Sequence, residues 1–379
     1  MDGMIVRRHL RRSGALAAVV GCLLGPPAIL AQTAPPLAEE VFKNVKVLRG
    51  IPAEQFMQTM GFFSASLGAN CTFCHVVESG GNWTKYADDS IPQKQTARRM
   101  VAMVAGMNKM YFGGRRVLTC YSCHRGGERP KVIPNLDELY GPPLEASTDD
   151  FVEQSPKTIS SDQILDKYIQ VIGGAERWGA LTSYAATGTY QAYDTSKNAV
   201  QIFAKAPNQL ATVVHTPNGD KSVVYDGRTG WSAAPASDSP VPLVRLTGPA
   251  LDAARVDAEI SFPARIKQSF PAWRVGYPTT IDDRDVLVIE GSGAGRSPVR
   301  FYFDKESGLL VRLVRYTDSP VGLSPTRFDF SDYRDVAGVK IPYRWTTTWL
   351  DGRSTIELKE IQANAPVDPA RFARPVSRE

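Results

Sequence analysis

Long apolar runs are missing from this 379-residue chain beyond its N-terminus, so no later segment is fit to cross a bilayer as a helix. Charge of one sign is lacking too. The formal net charge is +5, and Arg7, Arg8, Arg11 and Arg12 against Asp2 supply +3 of it. What remains gives nucleic acid no basic surface, and no such partner is expected. No low-complexity tract interrupts a composition that is 43% apolar and 22% charged, which excludes a disordered chain. The length suits two ordinary domains. Cysteine is scarce, with five in all. With Cys22 set aside, the other four fall in two short motifs, so none is left for an independent structural disulfide. Histidine is scarcer still, at four: His9, His75, His124 and His215.

The first 31 residues read as an export signal. A basic stretch precedes "ALAAVVGCLLG", an apolar run too short to span readily, followed by Pro26-Pro27 and a small-residue exit near Ala31. Cys22 in "VVGC" also fits a lipid-attachment box, but the run stays apolar through Leu23 and Leu24. Simple cleavage is the expectation. It places the mature chain in the periplasm or at the outer face of the cytoplasmic membrane.

Two stretches carry chemistry: "NCTFCHVVESGG" at 70–81 and "TCYSCHRGG" at 119–127, each containing Cys-x-x-Cys-His. Covalent haem attachment needs two thiols to add across two vinyl groups, then an imidazole able to reach the iron. The pentad meets these demands. Cys71 and Cys74 would hold one haem c, Cys120 and Cys123 a second, with His75 and His124 as axial ligands. A four-thiolate zinc site is one competitor, but the pairs lie too far apart for the common spacing and both histidines go unexplained. Dithiol redox chemistry expects a strand-to-helix setting, whereas "SLGANC" follows a helix and a turn.

The opposite face of each iron is a separate question. His215, in "TVVHTPNG", reads as a strand residue, so histidine cannot fill both remaining positions. Methionine is the alternative, and it raises the reduction potential. "IPAEQFMQTMGFFSASLG" reads as a helix entered at Pro52 and left at Gly68, with Met57 and Met60 on one side. "PQKQTARRMVAMVAGMNKMYFGG" reads as a second, carrying Met100, Met103, Met107 and Met110 as a stripe. Such stripes also pack cores. Periodicity does not choose the ligands.

With these stretches on the page, "VFKNVKVLRGIPAEQFMQTMGFFSASLGANCTFCH" and "ARRMVAMVAGMNKMYFGGRRVLTCYSCHRG" resemble the cytochrome c subunit of bacterial photosynthetic reaction centres, over about residues 41–130. The resemblance implies helix, turn and pentad, with the axial methionine on the helix. It points to Met60 and Met100, with Met103 as the fallback. That family has four haems where this chain has two pentads. A histidine the relatives carry before the second pentad is also missing from "YFGGRRVLTC". The chain therefore resembles one dihaem half.

The expected architecture is multidomain. A mainly α dihaem cytochrome c domain (36–135) is followed by a proline-rich linker (136–158) and an antiparallel β domain (159–376). In the last, Ser161 opens a helix with Ile164, Leu165, Tyr168, Ile169 and Ile172 on its apolar face. The period then changes to two across nine to eleven strands, with a helical insertion near 246–270. Opening helix, meander and "YDGRTGW" resemble the half-barrel of periplasmic lipoprotein carriers. That resemblance implies a curved sheet whose concave face is suited to a lipid or quinone, or filled by its own side chains. "GSGAGRS" at 291–297 reads as a hairpin loop. The leading function is an electron carrier serving redox partner proteins, including a membrane-bound electron-transfer complex. A dihaem peroxidase, or a lipid or quinone carrier with a redox-sensing haem domain, are the alternatives.

Overall fold

The computed structural model describes residues 35–130, 132–133, 151, 153, 159–192 and 196–375. The expected export signal with Cys22, and most of the expected linker, lie outside the described residues. Those described fall in one compact unit, Pro35–Glu379. No helix among them is long and apolar enough to cross a membrane.

The N-terminal part is sparsely helical. After a single turn, α1 (Ala38–Val41), come α2 (Ala53–Leu67), α3 (Pro92–Tyr111) and the short α4 (Cys120–His124). 3₁₀ turns at Cys71–Phe73, Val77–Gly81 and Trp83–Ala87 fill the connection between α2 and α3. Local chemistry explains the ends. Pro92 sits in the first turn of α3, where its missing N–H costs nothing. Gly68 closes α2 in the left-handed conformation. Thr119 caps α4 by accepting from the N–H of Ser122 at 3.3 Å.

Helix α5 (Ser161–Val171) and the short α6 (Ala175–Ala180) open the β part. Ser160, not Ser161, is the cap: its hydroxyl accepts from Gln163 N, and the Gln163 side chain accepts from Ser160 N in return. Either serine of the pair satisfies the pattern, and backbone geometry selects the first.

Among the described residues fourteen strands then form one open, curved antiparallel sheet. They are β1 (Ser183–Ala192), β2 (Asn198–Lys205), β3 (Gln209–Thr216), β4 (Gly219–Tyr225), β5 (Gly230–Ala233), β6 (Leu243–Leu246) and β7 (Ala272–Val275). β8 (Thr279–Ile281), β9 (Arg284–Gly293), β10 (Arg296–Asp304), β11 (Leu310–Ser319), β12 (Gly322–Val336), β13 (Val339–Trp349) and β14 (Gly352–Ala363) follow. The order runs β6 to β1, then β14 back to β9 and β7, with β8 beside β9. The first strand thus pairs with the last. The excess over nine to eleven comes from β5 to β8, each only three or four residues long and too short to show alternation. The helical insertion is α7 (Gly248–Ile260) with a 3₁₀ segment at Pro263–Gln268.

Alternation sorts the two faces. Phe301 and Phe303 of β10 and Leu313 of β11 are fully buried in the main core against Leu165 and Ile172 of the opening helix segment. Each such side chain contributes on the order of 2 kcal/mol. Tyr302, between the two phenylalanines, joins Val286, Val288 and Val314 on the other face, where Phe151 packs.

Candidate functional site

One face of α2 carries Phe56, Met57, Met60, Phe63, Ser64 and Leu67, a stripe at helical spacing that lines a cavity of about 470 Å³. That volume is ordinary for a cofactor site. The left-handed turn at Gly68 reverses the chain, bringing Cys71, Cys74 and His75 to the same cavity. The structure therefore unites Met60 with Cys71, Cys74 and His75 of the first pentad. Lys94, Ala97, Arg98 and Val101 of α3 form a second wall. Ala236, Pro240 and Asp351, from loops of the β part, form a third. The long C-terminal region is part of this site, and nothing in the local sequence announces it.

Two observations test whether haem c fits. The His75 Nδ1 is buried and without a hydrogen-bond partner, and the imidazole is held edge-on by Tyr86, ring centroids 4.8 Å apart. Burial, helped by the Lys94 ammonium, pushes His75 below its ordinary pKa and keeps it in the neutral form that ligates metal. The thiols behave consistently: burial raises Cys74, with Cys71 adding to the effect, and burial also raises Cys120. A dithiol oxidoreductase needs its reactive thiol shifted the other way. Zinc fares no better, since no three His, Cys, Asp or Glu among the described residues form a metal-binding group. The donor set, its apolar cradle and its protonation all suit haem c.

Asp89 was not singled out from the sequence, yet it organises the cationic rim. It accepts from Arg98 at 2.7 Å and pairs with Lys46 and Lys94, both at 3.1 Å. These partners, Arg98 first, hold its carboxyl far below the usual carboxylate range. Arg98 thus lies at the first cavity, whereas Arg116 reaches across to pair with Asp318 of the β part.

The second pentad is built differently. Cys120 to His124 form α4 itself, and the His124 Nδ1 contacts the Gly127 carbonyl at 3.1 Å, leaving the other ring nitrogen to face a metal. Met100, Met103, Met107 and Met110 lie on the face of α3 opposite the one lining the first cavity. Met100 and Met107 are half-buried, Met103 and Met110 exposed. A residue missed from the sequence organises the approach: buried Asn108 donates to Leu118 O at 2.7 Å and accepts from Val117 N and Leu118 N at 3.1 and 2.9 Å. Nothing in the sequence sets it apart from Lys109 beside it near the end of the helix.

His215 is a strand residue, paired with Asp220 at 2.8 Å on β3. The concave face of the sheet is not wholly filled by side chains: it encloses a second cavity of about 480 Å³, lined by Tyr184, Tyr190, Phe328 and Trp345 among others.

Residues 22–149 match the family model described as photosynthetic reaction centre cytochrome C subunit. The photosynthetic reaction center cytochrome c subunit of Thermochromatium tepidum is 37% identical over 100 residues, 25% of this chain and 23% of that protein. The subunit of the same name from Rubrivivax gelatinosus is 31% identical over 131 residues, 33% and 34% of the two chains. The matches thus span a quarter to a third of these relatives. For the β part, a LolA superfamily protein of Nitrosomonas europaea aligns at 15% identity and a TM-score of 0.37, over 56% of this chain and 97% of that one.

Proposed function

We propose that the chain is an extracytoplasmic dihaem c-type cytochrome that carries single electrons between redox partner proteins, a membrane-bound electron-transfer complex among them. The observation that carries this reading is the convergence of Met60, Cys71, Cys74 and His75 on one apolar cavity. The relatives, which are cytochrome c subunits by name, support it. When bound, haem c supplies a one-electron iron couple. Cys71 and Cys74 would anchor it by thioether bonds, and neutral His75 and the Met60 thioether would supply donors to its iron. Such a histidine and methionine pair would raise the potential of the bound haem. Cys120, Cys123 and His124 would take the same roles for a second haem, with Met100, or Met103 as the alternative, supplying the methionine donor. Met60 as a second donor would leave no open position at the first iron, which suits electron transfer and disfavours a peroxidase. The concave cavity of the β part is the place for a lipid or quinone.

The test is a pyridine haemochrome spectrum with haem counted per chain, on protein matured in a c-type cytochrome-competent host. Two covalent haems, each with the near-infrared band of methionine-ligated ferric haem, are expected. Absence of haem from such a host would sink the reading. Two haems with one methionine band would move the assignment toward an enzyme with an open iron.

A further inference from the structure

Helix α2 is shared between two cavities. Its Met57 and Met60 face the first, while Glu54 and Gln58, one turn apart on the opposite side, line the second. The helix sits there because two hairpins of the sheet end against it. A Cβ on Gly322, in the β11–β12 turn, would lie 2.6 Å from the Phe62 ring, and one on Gly61 would lie 3.0 Å from Asp351 in the β13–β14 turn.

The second cavity is graded in polarity. Thr326, paired across the strands with Arg315, and Thr347, paired with Ser354, line its wall toward those turns. Beside them, Trp345 pairs with Phe330 and with Ile356, which puts it in one row with Tyr190, and these rings form an aromatic floor. Glu54 and Gln58 belong to the polar end. Burial raises the Glu54 carboxyl. A protonated Glu54 donates to a carbonyl, and an ionised one accepts from a hydroxyl. The Gln58 amide does both.

We propose that this cavity binds the ring of a quinone or hydroquinone, with a ring oxygen held by Glu54 and Gln58 and the ring face against the aromatic floor. A plain acyl chain would use neither the flat aromatic surfaces nor the paired donor and acceptor. The ring would lie about one helix diameter, roughly 10 Å, from the cavity that holds His75 and Met60. The proposal names the small partner of the electron carrier proposed above. It rests on that reading for its purpose, not for the binding itself.

Isothermal titration of the matured full-length protein with decyl-benzoquinone, and separately with decanol, tests it. The quinone should bind one to one and at least tenfold more tightly than decanol. Glu54→Ala and Gln58→Ala should each weaken it about fivefold, the loss of one hydrogen bond. Thr347→Val, which keeps shape and removes a hydroxyl, serves as a second probe should either α2 variant fail to fold. Equal binding of decanol would give the cavity to acyl chains and overturn the proposal, as would failure of the quinone to bind. Unchanged affinity in folded variants would overturn the assigned contacts. Haem counted on the same samples separates the two readings. Haem without quinone binding removes this site alone, and quinone binding in a chain that matures without haem removes the electron carrier alone.

Discussion

The carbonyl oxygen of Gly126 stands where a side chain on Gly68 would begin: a Cβ there would lie 2.3 Å from it. Gly126 N also donates to Ser66 O at 3.0 Å. The exit from the second pentad is thus locked onto the end of the helix that leads into the first. The two motifs are one assembly.

Gly68→Ala therefore meets two penalties, a left-handed backbone at φ 61° and a collision with backbone that cannot swing away. The expected loss is on the order of 2 kcal/mol. Chemical denaturation would measure it, and haem content should fall at both pentads.

Met60 and Met57 both line the first cavity, one helical turn apart. Met60→Leu should abolish one near-infrared methionine band and lower that haem's potential, while Met57→Leu leaves both bands. Loss of the band in Met57→Leu instead would reassign the ligand.

Asp89→Asn removes the anion that gathers Lys46, Lys94 and Arg98. Because its carboxyl titrates lower in the folded chain than in the unfolded one, it stabilises the fold above its unfolded pKa of about 3.9. That contribution is lost only as pH falls toward the depressed folded value. Partial exposure limits it to about 1 kcal/mol. Melting curves of the two proteins should differ at pH 7 and converge below about pH 4.

Phe62 is buried against the β11–β12 turn. Phe62→Ala should cost about 3 kcal/mol in urea titration, and Phe62→Leu much less. An effect below about 1 kcal/mol would mean that α2 is not seated on the sheet in solution.

How legible this was depended on the range of each interaction. Cys-x-x-Cys-His is a local statement, and so are Pro92, Gly68 and the helices they bound. Alternation revealed the long strands, but β5 to β8 are shorter than the pattern that would show them. Apolar periodicity on α2 marked a buried face without saying that Glu54 and Gln58, on its other side, would line a second cavity. Asp351 lies about 280 positions from Cys71 and still helps to wall the same cavity, a pairing that leaves no trace in either stretch. The methionine stripe of α3 promised equal candidates, and the fold separates them by exposure.

Asn108 gives the most discriminating variant, because its three hydrogen bonds all end on the two residues before Thr119, the cap of α4. Replacing it with leucine keeps the volume but leaves Leu118 O and the Leu118 N–H without their partner, while the Val117 N–H keeps the Arg115 carbonyl. The cost should be about 2 kcal/mol, since buried backbone groups then go unpaired. The first cavity uses the opposite end of α3, so its haem should still attach. Pyridine haemochrome on Asn108→Leu should therefore fall from two haems per chain toward one. Mass spectrometry of tryptic peptides should find the survivor on Cys71 and Cys74. Equal loss from both pentads would instead mean that α3 folds as a single element on which both sites depend.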